Sequence, residues 1–320
     1  MENFSDQALN KTKMQEQINP LLCDIESGLC EVAVDQKDTT ALETSKVIKK
    51  PISILYYTDP ICSSCWGIEP QLRKLKLTYG NDFETEYKMG GLLKDWSYNS
   101  GQISKPTDVA VHWDEVSVHY DMPIDGDIWL EDPLDSSYPP SIAFKAAQMQ
   151  NREKALLFLR EIREMVFLQK KNITRWEHLE VAATKVGLDI IQFKNDYEGK
   201  ARILFHEDVQ AGKESGVRGF PTMIFTNAMG EQEFVYGSKS YGVLENVVLK
   251  LYPAATKLIY KTDWNSVFLK YNSLTANEYA QITGTERNQS EHILNGLAAE
   301  GKLEKLSTKN GAIWTPKKIQ

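Results

Sequence analysis

The chain has 320 residues, 42% of them hydrophobic and 25% charged, with a formal net charge of −7. This is the make-up of an ordinary soluble globular protein of one large domain or two to three small ones. It excludes a disordered, fibrous or membrane-spanning chain, because the apolar runs stop well short of the roughly 18 residues that a membrane helix needs. The acidic balance argues against a broad basic surface for phosphate backbones, so neither nucleic acid nor membrane is an expected partner.

Residues 1–49 are polar and lack sustained periodicity, and they read as a flexible leader with one apolar island around Cys23 and Cys30. The first twenty hold no apolar core of a secretory signal, which makes the cytoplasm the expected location. Residues 51–57 are a β-branched and aromatic run of a buried strand's length, ended by Asp59-Pro60. Over 62–79, Trp66, Leu72, Leu75 and Tyr79 recur at helical spacing, with Pro70 expected to kink the helix and Gly80-Asn81 to stop it. Residues 83–89 alternate as a second strand, so the order begins β-α-β.

Segment 97–140 holds nine acids and one base, a balance of −8 that accounts for the net acidity of the chain. It reads as solvated loop before a docking face for a basic partner, though Trp113, Tyr120, Trp129 and Tyr138 leave room for a peptide groove. Helical patterns follow at 143–150, 153–170, 176–186 and 190–211, the last capped by Asp189. Residues 222–226 and 233–236 flank Asn227-Ala228-Met229-Gly230 as a hairpin, and a helix follows at 241–251. Beyond Pro253, helices at 264–271, 276–282 and 287–300 and a hairpin of 303–305 with 312–314 suggest a small winged-helix-like unit. Its seven Lys or Arg against six acids give only +1, which favours protein contact or packing over DNA binding. The element order predicts an α/β class, a thioredoxin fold with an all-helical insertion. Its parts are a leader at 1–49, a core at 50–96 and 218–255, the insertion at 97–217 and the tail at 262–320.

Cys62-Ser63-Ser64-Cys65 lies directly after a predicted strand and opens a helix. Free backbone N–H groups and the helix dipole favour a thiolate at the first thiol, and the second lies one turn on, placed to resolve a mixed disulfide. Cys62 is thus the candidate nucleophile and Cys65 the resolving thiol. Gly219-Phe220-Pro221-Thr222 precedes the third strand, where a cis proline would present a backbone edge to an extended substrate.

The stretch Asp59-Pro60-Ile61-Cys62-Ser63-Ser64-Cys65-Trp66-Gly67-Ile68-Glu69-Pro70, the run Ser136-Ser137-Tyr138-Pro139-Pro140 and the Gly219–Thr222 loop resemble the DsbA-like thioredoxin family. Within it they are similar to the cytosolic FrnE and YjbH/SpxH branch, over roughly residues 50–255. The resemblance implies a redox-active Cys62/Cys65 pair and a cis proline at Pro221. The YjbH/SpxH branch implies a second reading, an adaptor that delivers a transcription regulator to the ClpXP protease. Where DsbA proteins carry a histidine between the cysteines this chain has two serines, which predicts a less oxidising couple.

Around this pair, Asp59 is either a proton acceptor for Cys65 or a turn cap, Glu69 a tuning or a surface carboxylate, and Trp66 a groove or a core residue, with Phe220 and Pro221 holding substrate. Cys23 and Cys30 stand open between a second redox pair, half a metal site and a motif of no catalytic consequence. The leading expectation is a cytosolic thiol-disulfide oxidoreductase acting on protein or peptide thiols and disulfides, with no organic cofactor and no metal. The alternative is the ClpXP adaptor, with a regulator and the protease as partners.

Overall fold

The computed structural model describes residues 50–97 and 104–317 in full, and the backbone of 23–24 and 29–31. The leader contributes β1 (Cys23–Asp24) and β2 (Leu29–Glu31), and the central sheet starts with β3 (Ile52–Thr58). There follow α1 (Ser63–Gly67), α2 (Glu69–Tyr79) and β4 (Phe83–Met89). The helical block comprises α3 (Pro106–Tyr120), α4 (Ile128–Glu131), α5 (Tyr138–Gln150), α6 (Arg152–Leu168), α7 (Trp176–Lys185), α8 (Ile190–Glu198) and α9 (Lys200–Glu214). Then come β5 (Gly219–Phe220), β6 (Thr222–Asn227), β7 (Gln232–Tyr236) and α10 (Tyr241–Leu251). The tail has α11 (Trp264–Lys270), β8 (Leu274–Thr275), α12 (Ala276–Thr283), α13 (Arg287–Ala299), β9 (Leu303–Thr308) and β10 (Gly311–Pro316). This is the expected thioredoxin-type α/β fold. Among the described residues no helix is long and apolar enough to cross a membrane.

The central sheet runs β4-β3-β6-β7, with β3 and β4 parallel and the other neighbours antiparallel. β3 is covered on both faces, which is why its sequence is an apolar run with little polar alternation. Ile52, Ile54 and Tyr56 pack with Leu75, Phe225, Leu244 and Val248 beneath α2 and α10, whereas Tyr57 belongs to the larger core shared with the helical block.

The helix expected over 62–79 is two helices. Ile68 separates α1 from α2, and Pro70 lies in the first turn of α2, where its missing N–H would have had no helical partner. The proline therefore starts a helix where a mid-helix kink was expected. The helix expected over 190–211 is likewise broken at Gly199, between α8 and α9, while Asp189 Oδ1 does cap α8 by accepting from Gln192 N–H at 2.9 Å.

Segment 97–140, expected as solvated loop, contains α3 and α4. Val109, Ala110, Trp113 and Val116 of α3 are buried on one face, and Asp108 holds its start by accepting from Ser104 N–H at 2.9 Å. Much of the acidity is neutralised within the chain. Lys309 reaches Asp114 at 2.5 Å and Asp127 at 2.8 Å, and Arg287 reaches Asp121 at 2.7 Å.

The tail forms three helices around an antiparallel β8-β10-β9 sheet with its own core of Val267, Phe268, Leu274, Tyr279, Leu294 and Trp314. An ion-pair network fastens it to the body. Glu278, fully buried, accepts both Arg160 Nη1 at 2.8 Å and Nη2 at 3.0 Å and lies 3.2 Å from Arg73 Nε. Arg73 also donates to the carbonyl of Ser273 at 2.8 Å.

Candidate functional site

The CxxC motif opens α1 where β3 ends. Cys62 is the N-cap, and its Sγ accepts from the Cys65 N–H at 3.1 Å. Across from it, Phe220-Pro221 is a cis peptide leading into β6. Both thiols are reduced and 0% exposed. The helix terminus favours a thiolate at Cys62, but burial works against it. Burial, with the hydrogen bond to Cys65 and that group's charge, holds the Cys62 thiol well above its ordinary pKa. Cys65 is also penalised by burial, yet its hydrogen bond with Cys62, the charge of Arg163 and the Thr58 hydroxyl outweigh that and hold it below its ordinary value. Of the two, Cys65 is therefore the more readily ionised, where the sequence pointed to Cys62.

After the hydrogen bond with Cys62, the largest influence lowering Cys65 is the charge of Arg163, a residue of α6 that sequence reasoning missed. It is 1% exposed, and it donates to Glu69 Oε1 and Thr58 Oγ1, each at 2.6 Å, and to the Asp59 carbonyl at 3.3 Å. On an amphipathic helix rich in Arg and Glu, an inward arginine has no pattern that separates it from its outward neighbours. Glu69 is thus an ion-paired partner of a buried cation, one helical turn beyond Cys65.

Asp59 is a structural cap. Its Oδ1 accepts from Ile61 N–H at 3.1 Å, and its Oδ2 from Leu92 N–H and the Ser137 hydroxyl, each at 2.8 Å. These bonds tie the end of β3 to the loop after β4 and to the start of α5. Burial lifts its pKa to about 6 in spite of them. Trp66 lies in the core and lines no groove. It is 0% exposed, donates to the Pro123 carbonyl at 3.1 Å, stacks on Phe167 at 5.5 Å and carries the Arg160 guanidinium over its ring at 4.3 Å. Phe220 is also buried, and it needs Gly90 opposite, since a Cβ there would stand 1.7 Å from its ring. Tyr120, at the end of α3, lies over α1. Its hydroxyl is 2.9 Å from Ser64 Oγ, and its ring occupies the space that a Cβ at Gly67 would fill.

A family model described as Thioredoxin matches residues 55–246. The ClpXP adapter protein SpxH of Halalkalibacterium halodurans is 32% identical over 302 residues, which cover 92% of this chain and 97% of that protein. SpxH of Bacillus subtilis is 32% identical over 272 residues, covering 83% and 89%. Among solved structures, one from Nitrosomonas europaea aligns with a TM-score of 0.53 at 17% identity, over 63% of this chain and 96% of that one. The cytosolic disulfide reductase DsbM of Pseudomonas aeruginosa aligns with a TM-score of 0.50 at 19% identity, over 62% and 99%. At such identities the structures bear on fold alone. The expectation of an oxidoreductase working through Cys62-Ser63-Ser64-Cys65 is corrected by these relatives. The sequence relatives that match over most of their length are named ClpXP adapter proteins, and a motif on a shared fold does not by itself fix the task.

Proposed function

The chain belongs to the thioredoxin family and, within it, to the SpxH branch of DsbA-like proteins, and from that premise we propose that it is an adaptor presenting a regulator protein to the ClpXP protease. The observation that carries this reading is a likeness to an adapter protein that takes in 97% of that protein's length. The geometry of the dithiol supports it. Exchange with a partner disulfide requires a sulfur that the partner can reach, and both sulfurs are buried. An adaptor acts through surfaces and leaves the dithiol in place as part of the core. Its partners are then two proteins, a regulator and the protease, and its expected location is the cytoplasm.

Reconstitution tests this. ClpXP, ATP and a soluble extract of the source cell are incubated with and without the purified chain, and protein levels are followed by quantitative mass spectrometry. At least one protein is expected to disappear about tenfold faster with the chain present, and the Cys62→Ser/Cys65→Ser chain is expected to act within about twofold of it. If no protein's turnover depends on the chain, the adaptor reading fails. Loss of the effect in the double variant would return the dithiol to the centre of the function.

A further inference from the structure

β5 is a strand only through the leader. Among the described residues its one partner is β2, in the three-stranded sheet β1-β2-β5, and the pairing is antiparallel with Cys30 opposite Phe220 and Glu31 opposite Gly219. Pro221 follows immediately, so β2 occupies the backbone edge beside the cis peptide, the edge at which an added strand would lie. β2 also runs beside α1, the helix that carries Cys65 and is capped by Cys62. β2 therefore lies against both the cis-peptide edge and the helix that carries the dithiol.

The register within the leader adds a second observation. β1 and β2 are antiparallel, with Cys23 directly opposite Cys30 and Asp24 opposite Leu29. Directly opposed residues of an antiparallel pair have Cα atoms about 4.5–5.5 Å apart, inside the roughly 4.4–6.8 Å that a disulfide spans. We propose that the β1-β2 hairpin is a strap over the Phe220-Pro221 edge, and that a Cys23–Cys30 disulfide fastens it. A small-molecule disulfide such as oxidised glutathione supplies the oxidising equivalents. One leader thiolate attacks it and releases one glutathione thiol. The second leader thiol then attacks the mixed disulfide and releases the other, forming one new S–S bond in place of the old one. The bond removes conformations from the free hairpin and so favours the paired form, by roughly tenfold or more for so short a loop. This goes beyond the adaptor reading and does not depend on it.

The experiment uses the full-length chain carrying Cys62→Ala and Cys65→Ala, so that only the leader thiols can be oxidised. It is treated with oxidised glutathione, and amide hydrogen exchange is followed at Gly219 and Phe220. The expected result is an intramolecular disulfide with loss of two hydrogens from the mass, and exchange at Phe220 slowed about tenfold. In the reduced chain, Glu31→Pro deletes a backbone donor of β2 and is expected to speed that exchange about tenfold, whereas Glu31→Thr, strand-compatible, leaves it unchanged. Failure to form the disulfide, or exchange at Phe220 indifferent to both oxidation and Glu31→Pro, would overturn the strap. None of these readouts involves ClpXP, so the strap and the adaptor reading stand or fall separately.

Discussion

Arg163, together with the hydrogen bond between the two thiols, makes Cys65 the more readily ionised member of the dithiol. A guanidinium removed from water and held by Glu69, Thr58 and the Asp59 carbonyl is a fixed cation beneath α1, and a thiolate close to it is stabilised far more than one in solvent would be. Arg163→Met is expected to raise the midpoint of Cys65 ionisation by about one pH unit or more, read from thiolate absorbance at 240 nm. Because Glu69 loses its nearest cation, the same variant is expected to lose about 3 kcal/mol in urea unfolding.

Two other buried groups set an opposing pair of pH effects. Burial raises Asp59 from 3.8 to about 6, so between those values the folded chain binds more protons than the unfolded one, and stability falls as pH rises through that window. Burial lowers His112 from 6.5 to about 4, so there the unfolded chain binds more protons, and stability is lost as pH falls through that window. Each effect spans about two pH units at ~1.4 kcal/mol per unit, or roughly 3 kcal/mol, and they nearly cancel. Urea titrations at pH 4 and 6.5 are expected to show Asp59→Asn gaining about 3 kcal/mol relative to the parent chain as pH rises, and His112→Gln showing the reverse. Parallel profiles for all three chains would contradict both assignments.

At the scale of elements, proline and glycine act by position more than by identity. Pro70 sits in the first turn of α2, so Pro70→Ala is expected to change stability by less than about 1 kcal/mol, where a mid-helix proline would give a gain of about 3 kcal/mol on removal. Leu75→Ala, deep in the core under the same helix, is expected to cost about 3 kcal/mol in the same measurement. The acidic segment teaches a related lesson. Its composition suggested loop, yet Val109, Ala110, Trp113 and Val116 already carry a helical spacing, and α3 buries that stripe while its acids turn toward solvent and toward Lys309 and Arg287.

At the scale of the molecule, Glu278 joins the tail to the body. A carboxylate at 0% exposure shared by Arg160 and Arg73 leaves two buried cations under-compensated when its charge is removed. Glu278→Gln is expected to destabilise the chain by about 3–5 kcal/mol, with the loss seen by both a tail probe, Trp314 fluorescence, and far-UV circular dichroism. The network has consequences for the site, because Arg160 also lies over Trp66, next to Cys65 in sequence, and Arg73 stands one turn from Glu69.

The sequence by itself determined the elements of the core and their order. Apolar runs of strand length, helical spacing and glycine stops are local signals, and β3, β4, β6, β7 and α10 obey them because burial of each depends on its own pattern. It also determined the motif, Cys62 to Cys65, and the cis peptide at Pro221. The tertiary structure alone decided the rest. The inward turn of Arg163, the burial of both thiols, the core position of Trp66 and the pairing of β2 with β5 each depend on what a residue distant in the chain places opposite. The easier ionisation of Cys65 follows from its hydrogen bond with Cys62, from a cation nearly a hundred residues away in sequence and from burial by distant residues, and the last two have no local signature.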